Sequence, residues 1–193
     1  ASWSRGLGDV YKRQRLNNEL KDFLPEKTRR IENIFKNQVF GIATTELTSL
    51  MGRRTLYCSK KANSQYSLFE ESINDSGNIF YSRFNHSWLN SRCKYCGAPQ
   101  DVYNRNDELE TYAYPFIHKD DPNLFFDMKF DVVIGNPPYQ ISDSGFGKSA
   151  KPIYNRFIEQ AKKLNPRHLL MIIPSRWYAG GKGLDEFRNE MLN

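Results

Sequence analysis

Phe130-Asp-Val-Val-Ile-Gly-Asn-Pro-Pro-Tyr139 is the stretch on which the reading of this chain turns. An unbroken apolar run closed by glycine and a proline pair is the pattern of a strand buried in a parallel sheet, with a loop starting at Gly135. Two consecutive prolines fix φ and donate no backbone hydrogen bond, so the loop is stiff and its carbonyls are left to accept. Open α/β sheets bind ligands just beyond the carboxyl ends of their strands, where this loop lies. The Asn136 side-chain oxygen and the Pro137 carbonyl can each accept one N–H of an amino group carried on a planar ring, and Tyr139 can stack on that ring. An aryl amine is a weak nucleophile because its lone pair delocalises into the ring. Two acceptors that hold both N–H bonds favour a more tetrahedral nitrogen and aim its lone pair at an electrophile, so positioning replaces a strong base.

Working outward, residues 135–152 form a Gly/Ser/Pro-rich loop. A helix follows, with Ile153, Tyr154, Phe157, Ile158, Ala161 and Leu164 on one face. Leu169-Leu-Met-Ile-Ile173 reads as a second buried strand, residues 175–183 as an irregular loop, and 184–192 as the start of another helix. Upstream, Val39-Phe-Gly-Ile42 is a short strand. Thr44-Thr45 offers the N-cap of a helix that has Glu46 in its first turn and runs to about Tyr57. Residues 15–36 have helical spacing interrupted at Pro25. Strands alternating with helices predict an α/β fold with a doubly wound, Rossmann-like parallel sheet, here incomplete.

Residues 58–126 differ in character. Gly, Asn and Ser punctuate aromatic runs such as Tyr66-Ser-Leu-Phe69 and Asn78-Ile-Phe-Tyr-Ser-Arg-Phe84, the pattern of small antiparallel strands in a β-rich insertion. The partial sheet domain is then 15–57 plus 127–193. Within the insertion, Cys93-Lys-Tyr-Cys96-Gly97 has the form of a zinc knuckle, two thiolates two residues apart with glycine permitting the tight turn. Cys58 and His86 complete the expected ligand set Cys58, His86, Cys93, Cys96, with His118 in reserve. A structural zinc of this kind would staple a module too small for a core of its own. The alternative is a reduced, metal-free pair in a hairpin.

The chain has 193 residues and a formal net charge of +6, with 39% hydrophobic and 14% aromatic residues. The aromatic content argues against disorder, and no apolar run approaches the length of a membrane span. Three cysteines are too few for a disulfide framework, which fits a reducing cytoplasm. The basic balance points toward a polyanion. Gly147-Lys148-Ser149 has the ending of a phosphate-binding P-loop, but Ser142 stands where that motif needs glycine and no strand leads into it. Lys148 and Lys151 are read either as contacts to nucleic-acid phosphates or as solvated loop charges. Asp9-Val-Tyr-Lys-Arg-Gln14 is encoded by GAT GTG TAT AAG AGA CAG, which resembles a transposase end sequence used in sequencing-library preparation. Residues 1–14 are accordingly read as non-native and kept out of the fold argument. With no initiator Met and a last residue inside a helical pattern, the chain reads as an internal piece of a longer protein.

The tetrad Asn136-Pro-Pro-Tyr139 resembles motif IV of the amino-methyltransferases, whose Asn-Pro-Pro-Tyr form is typical of enzymes that methylate the amino nitrogen of adenine in DNA. Strand 39–42 with its helix, and strand 169–173 with the helix after it, are similar to the matching units of that fold. With the insertion, the chain from Arg15 onward is similar to the methylase part of large type II restriction–modification proteins, which fuse methylase and endonuclease.

The resemblance implies S-adenosylmethionine as methyl donor and double-stranded DNA as substrate, with the target adenine flipped out of the stack. It implies a catalytic set of Asn136, Pro137, Pro138 and Tyr139. Tyr139, Phe146 and Lys148 would contact the substrate, Phe146 either as a pocket wall or as loop packing. The family often ends its second strand with an acidic residue that holds the cofactor ribose. Ala43 occupies that place and Glu46 is the nearby substitute. The family's glycine-rich cofactor loop precedes that strand, and none is seen here, so the 193 residues alone are expected to be inactive. Two other functions stay open: methylation of the glutamine side-chain amide in proteins, another planar conjugated amine, and a non-catalytic zinc-ribbon DNA-binding module.

Overall fold

The computed structural model describes residues 2–3, 7–82, 85–104, 113–126, 128–141 and 150–193. The chain divides into two compact units, Ala1–Ser82 and Arg83–Asn193. Among the described residues no helix is long and apolar enough to cross a membrane.

In the first unit, strand β1 (Ser2–Trp3) is followed by helices α1 (Leu7–Glu19) and α2 (Lys27–Asn37). They are separated at Pro25, as its missing N–H requires. Arg30 is buried at this corner. Its guanidinium donates to the carbonyls of Leu24 (2.6 Å) and Pro25 (2.5 Å) and to Asn17 Oδ1 (3.1 Å), so the chain reversal leaves these acceptors satisfied. Residues 7–14, set aside on sequence grounds, lie within α1, and Arg13 donates to the Leu56 carbonyl at 2.6 Å. Strand β2 (Gly41–Ile42) is paired parallel to β1 on one side and to β3 (Ile79–Phe80) on the other. Helix α3 (Glu46–Tyr57) starts where the sequence places it. The Thr45 hydroxyl accepts from Thr48 N–H at 3.1 Å and the Thr48 hydroxyl accepts from Thr45 N–H at 2.9 Å, a closed capping box.

Residues 58–82 depart from expectation. Tyr66-Ser-Leu-Phe69 forms turns, not a strand. It is anchored by the backbone and one ring, with Leu68 N–H donating to the Tyr57 carbonyl (2.9 Å) and Phe69 stacking on Phe35 at 5.6 Å, while Tyr66 is exposed. Among the described residues of the 78–84 run, Ile79–Phe80 form β3, which is parallel to β2. Ala62 and Ile79 join Ile34, Phe35, Val39, Ala43, Leu56 and Tyr57 in one core. The boundary between units therefore falls at Ser82/Arg83, inside the 58–126 segment expected to be a single insertion.

The second unit opens with a hairpin, β4 (Trp88–Leu89) and β5 (Arg92–Cys93). Its two-residue loop has Asn90 at φ 50° and Ser91 at φ 59°, the doubly left-handed conformation of a type I′ turn. Short helices α4 (Gln100–Tyr103), α5 (Tyr114–Ile117) and α6 (Asn123–Phe126) follow. Strands β6 (Val132–Gly135) and β9 (His168–Met171) are parallel, in register from Val132 opposite His168 to Gly135 opposite Met171. Between them come the antiparallel pair β7 (Gln140–Ile141) and β8 (Lys151–Pro152), then helix α7 (Tyr154–Lys163). A 3₁₀ turn (Ser175–Ala179) and helix α8 (Asp185–Leu192) close the chain.

The β6–β9 ladder is covered on one face. Leu169, Met171 and Ile173 pack against Tyr154, Ile158, Trp177, Leu184 and Phe187. On the other face Val132 is 41%, Leu170 53% and Ile172 67% exposed. The sequence reading had these strands buried on both sides, but α7 and the segment through α8 cover a single face, and alternation along each strand sends every second apolar residue to the open one.

Candidate active site and thiol–imidazole cluster

The 136–139 loop leaves β6 directly, and the ladder continues past the strand ends, with Ile172 N–H donating to the Gly135 carbonyl at 2.9 Å. Asn136 is half-buried, Pro137 and Pro138 are buried, and Tyr139 is 40% exposed. The proline pair is thus packed into the protein while the amide stands at its rim and one aromatic ring faces solvent. The base of the loop is closed on the far side. Ile153 N–H donates to the Tyr139 carbonyl at 3.1 Å, and Gln140 and Ile141 of β7 pair with Pro152 and Lys151 of β8. A rigid scaffold therefore holds the tetrad at the carboxyl end of a parallel strand, the ligand-binding end of such sheets. The segment after β9 leaves from the same end of the ladder. There Trp177 is buried and stacks at 3.9 Å on Tyr178, which is largely exposed.

A cleft of about 440 Å³ is lined by Arg92, Gly97, Pro99, Ile141, Lys151, Lys182 and Gly183. Its three charged groups are all cationic. Arg92 comes from the β4–β5 hairpin, Lys151 from the strand that closes the tetrad loop, and Lys182 from the turn before α8.

Next to the hairpin, His86, Cys93, Cys96 and His118 bring their ligand atoms within 4.8 Å of one another. Cys93 and Cys96 are buried and reduced. The knuckle between them is fixed by backbone bonds, Gly97 N–H to the Cys93 carbonyl (2.9 Å) and Cys93 N–H to the Ala98 carbonyl (2.8 Å). Gly97 at φ +75° makes the reversal. Cys96 Sγ lies 3.5 Å from His86 Nδ1, and Cys93 Sγ lies 3.5 Å from His118 Nε2. Burial holds both imidazoles below the usual histidine range, His118 down to about 4, so both are neutral near pH 7. Burial pushes the Cys96 thiol up to about 12, against an opposing hydrogen bond from the Ala98 backbone.

Residues 37–193 match the profile of the Eco57I restriction-modification methylase family. The chain belongs to that family. It is also 35% identical over 193 residues to a Mycoplasma pneumoniae protein described as an uncharacterized adenine-specific methylase, an alignment that covers 88% of this chain and 46% of that protein. The chain thus spans about half the length of that relative. No solved structure matches it.

In this Eco57I-family chain the four residues of the tetrad form one continuous loop. Phe146 and Lys148 lie in 142–149, outside the described residues. Glu46 is in the first unit, exposed in the first turn of α3, where Thr45 and Thr48 supply the cap and leave its carboxylate uncommitted to it. Cys58 requires correction as a metal ligand. It is the left-handed C-cap of α3 in the first unit, exposed, with its sulfur 3.3 Å from Arg13 Nη1, and the fourth position of the cluster is filled by His118. Sequence reasoning also passed over Arg92, Lys182 and Tyr178. The signal for the last was available, since an Arg-Trp-Tyr run directly after a strand places aromatics at the ligand end of the sheet.

Proposed function

We propose that the chain is part of a DNA adenine methyltransferase of a restriction–modification system, transferring a methyl group from S-adenosylmethionine to the adenine amino group. The carrying observation is the position of Asn136-Pro-Pro-Tyr139 at the carboxyl end of β6, stiffened by two buried prolines and presenting a half-buried amide beside an exposed ring. In this reading Asn136 Oδ1 and the Pro137 carbonyl accept the two amino N–H bonds. Pro138 holds the loop, and Tyr139 stacks on the base. When bound, the cofactor supplies a methyl carbon activated by a sulfonium. The bond from the nitrogen to that carbon would form as the carbon–sulfur bond breaks, and the amino proton would pass to solvent. Glu46 is the acidic side chain that would hold the ribose hydroxyls, since a carboxylate next to the second strand accepts from both. Phe146 and Lys148 would complete the substrate contacts. In this reading the fold is an incomplete doubly wound methyltransferase sheet.

The cationic cleft of Arg92, Lys151 and Lys182 favours DNA over a glutamine side chain, because a flipped base brings its phosphates with it and they need positive contacts on either side of the pocket. An endonuclease, fused or separate, would be the functional partner, and reduced cysteines suit action in the cytoplasm.

The test is the methyladenine content of DNA from cells that lack adenine methylation and express the full-length protein to which this chain belongs. Methyladenine should appear, and Asn136→Ala should lower it by at least about tenfold while DNA binding stays similar, since the lost acceptor acts on the transition state. Unmodified DNA together with methylated glutamine in cell protein would move the assignment to the other substrate class. Unchanged methylation by Asn136→Ala would remove Asn136 from the mechanism.

A further inference from the structure

We infer that His86, Cys93, Cys96 and His118 form a closed structural zinc centre that clamps the β4–β5 hairpin onto helix α5. The donor set is two thiolates and two imidazoles, the composition of a four-coordinate site with no open position, which is structural and not catalytic. The spacing fits the ion. With zinc–sulfur bonds near 2.3 Å and zinc–nitrogen bonds near 2.05 Å, a tetrahedron has sulfur–nitrogen edges of about 3.6 Å. Two of the four such edges in the cluster measure 3.5 Å, and all four ligand atoms lie within 4.8 Å of one another.

The surroundings are those of a ligand site. His118 Nδ1 lies 2.6 Å from the Tyr114 carbonyl. A carbonyl only accepts, so Nδ1 carries the proton and Nε2 turns its lone pair to the thiols. This is the outer hydrogen bond that fixes the tautomer of metal-ligating histidines. Trp88 stacks on the His86 ring at 5.0 Å, and Tyr114 and His118 meet it edge-on at 5.6 Å and 5.5 Å. The rings hold the imidazole in place, and both cysteines are buried.

The clamp reaches beyond the hairpin. His118 is the C-cap of α5, and Gln160 on α7 donates to the carbonyls of Phe116 (3.1 Å) and Lys119. Helix α7 begins two residues after β8, the strand that closes the tetrad loop. On the other side, Arg92 directly precedes Cys93 and lines the cationic cleft. One ion would therefore brace both the helix behind the candidate active loop and a cation offered to phosphate.

Metal analysis of the chain, produced in zinc-supplemented medium and purified without chelator, should give about one zinc per chain. Stripped protein titrated with cobalt(II) should develop the intense visible bands of tetrahedral coordination and a near-ultraviolet thiolate charge-transfer band. His118→Ala should weaken cobalt binding by more than about tenfold, whereas Cys58→Ser should leave stoichiometry and spectrum unchanged. Zinc far below one per chain, with weak octahedral cobalt bands in the unsubstituted protein, would overturn the proposal. So would loss of metal on Cys58→Ser, even if His118→Ala fails to fold. None of these readouts involves methylation, so they stand or fall apart from the function proposed above.

Discussion

Gly77 sits at φ +58°, where a Cβ would strike the Tyr57 hydroxyl and come within 2.7 Å of the Ala62 methyl. That hydroxyl accepts from Asn78 N–H at 2.8 Å, and Asn78 Nδ2 in turn donates to the carbonyls of Phe35 (2.5 Å) and Val39 (2.8 Å). Gly77→Ala would push Tyr57 out of a site in which burial already keeps its phenol protonated, and would unseat the asparagine that ties α2 to β3. A loss of about 1–3 kcal/mol is expected from strain and displaced packing together, read as a lower midpoint in chemical denaturation. An unchanged midpoint would mean that the core around Tyr57 is looser than its full burial implies. At this scale the sequence is most informative where a function is contiguous in the chain. Asn136 to Tyr139 follow one another in a single loop, so the chemistry proposed for them can be read from their residue types alone. The cluster at His86 was half legible for the opposite reason. Cys93 and Cys96 advertise themselves by spacing, but His118 arrives on a separate helix, and nothing in its sequence position distinguishes it from Cys58.

Among the elements, the β4–β5 hairpin turns on Asn90-Ser91, both left-handed. Asparagine tolerates this conformation; serine pays a steric cost that glycine does not. Ser91→Gly should therefore stabilise the second unit by a few tenths to about 1 kcal/mol, the gain offset in part by the greater freedom of glycine in the unfolded chain. Thermal unfolding is the measurement, and a lower transition temperature would show that the Ser91 side chain supports the turn. Helix α3 was readable before its structure because Thr44-Thr45 and the apolar spacing agree on one start. The aromatic runs of residues 58–84 were not. Short stretches of Tyr, Phe, Leu and Ser fit a strand pattern and a chain of turns equally well, and which one forms depends on the core they cover. Here the core of Phe35, Leu56 and Tyr57 takes the Phe69 ring and leaves that of Tyr66 exposed.

For the molecule as a whole, alternating strands and helices were enough to give the α/β class, and they gave too much burial. The apolar runs at β6 and β9 carry Val132, Leu170 and Ile172 on a face left open, and a run that is apolar at every position does not say which of its faces is covered. A contiguous apolar sheet face should bind a hydrophobic dye such as ANS and promote association. Sedimentation of the purified chain should show mass increasing with concentration, and Leu170→Lys with Ile172→Thr should reduce both signals while leaving the covered face, and hence the far-ultraviolet spectrum, intact. A monomer that ignores the dye would mean that the face is shielded in solution.

The same open face bears on how the chain fares in a living cell. Parallel strands with long crossovers pair late, so both apolar segments leave the ribosome well before the ladder between them can form. Even after it forms, one side continues to present the kind of surface that holdase chaperones engage. Soluble yield should then follow chaperone supply and growth temperature more closely than the stability of either core would suggest, and co-expression of a holdase should raise it.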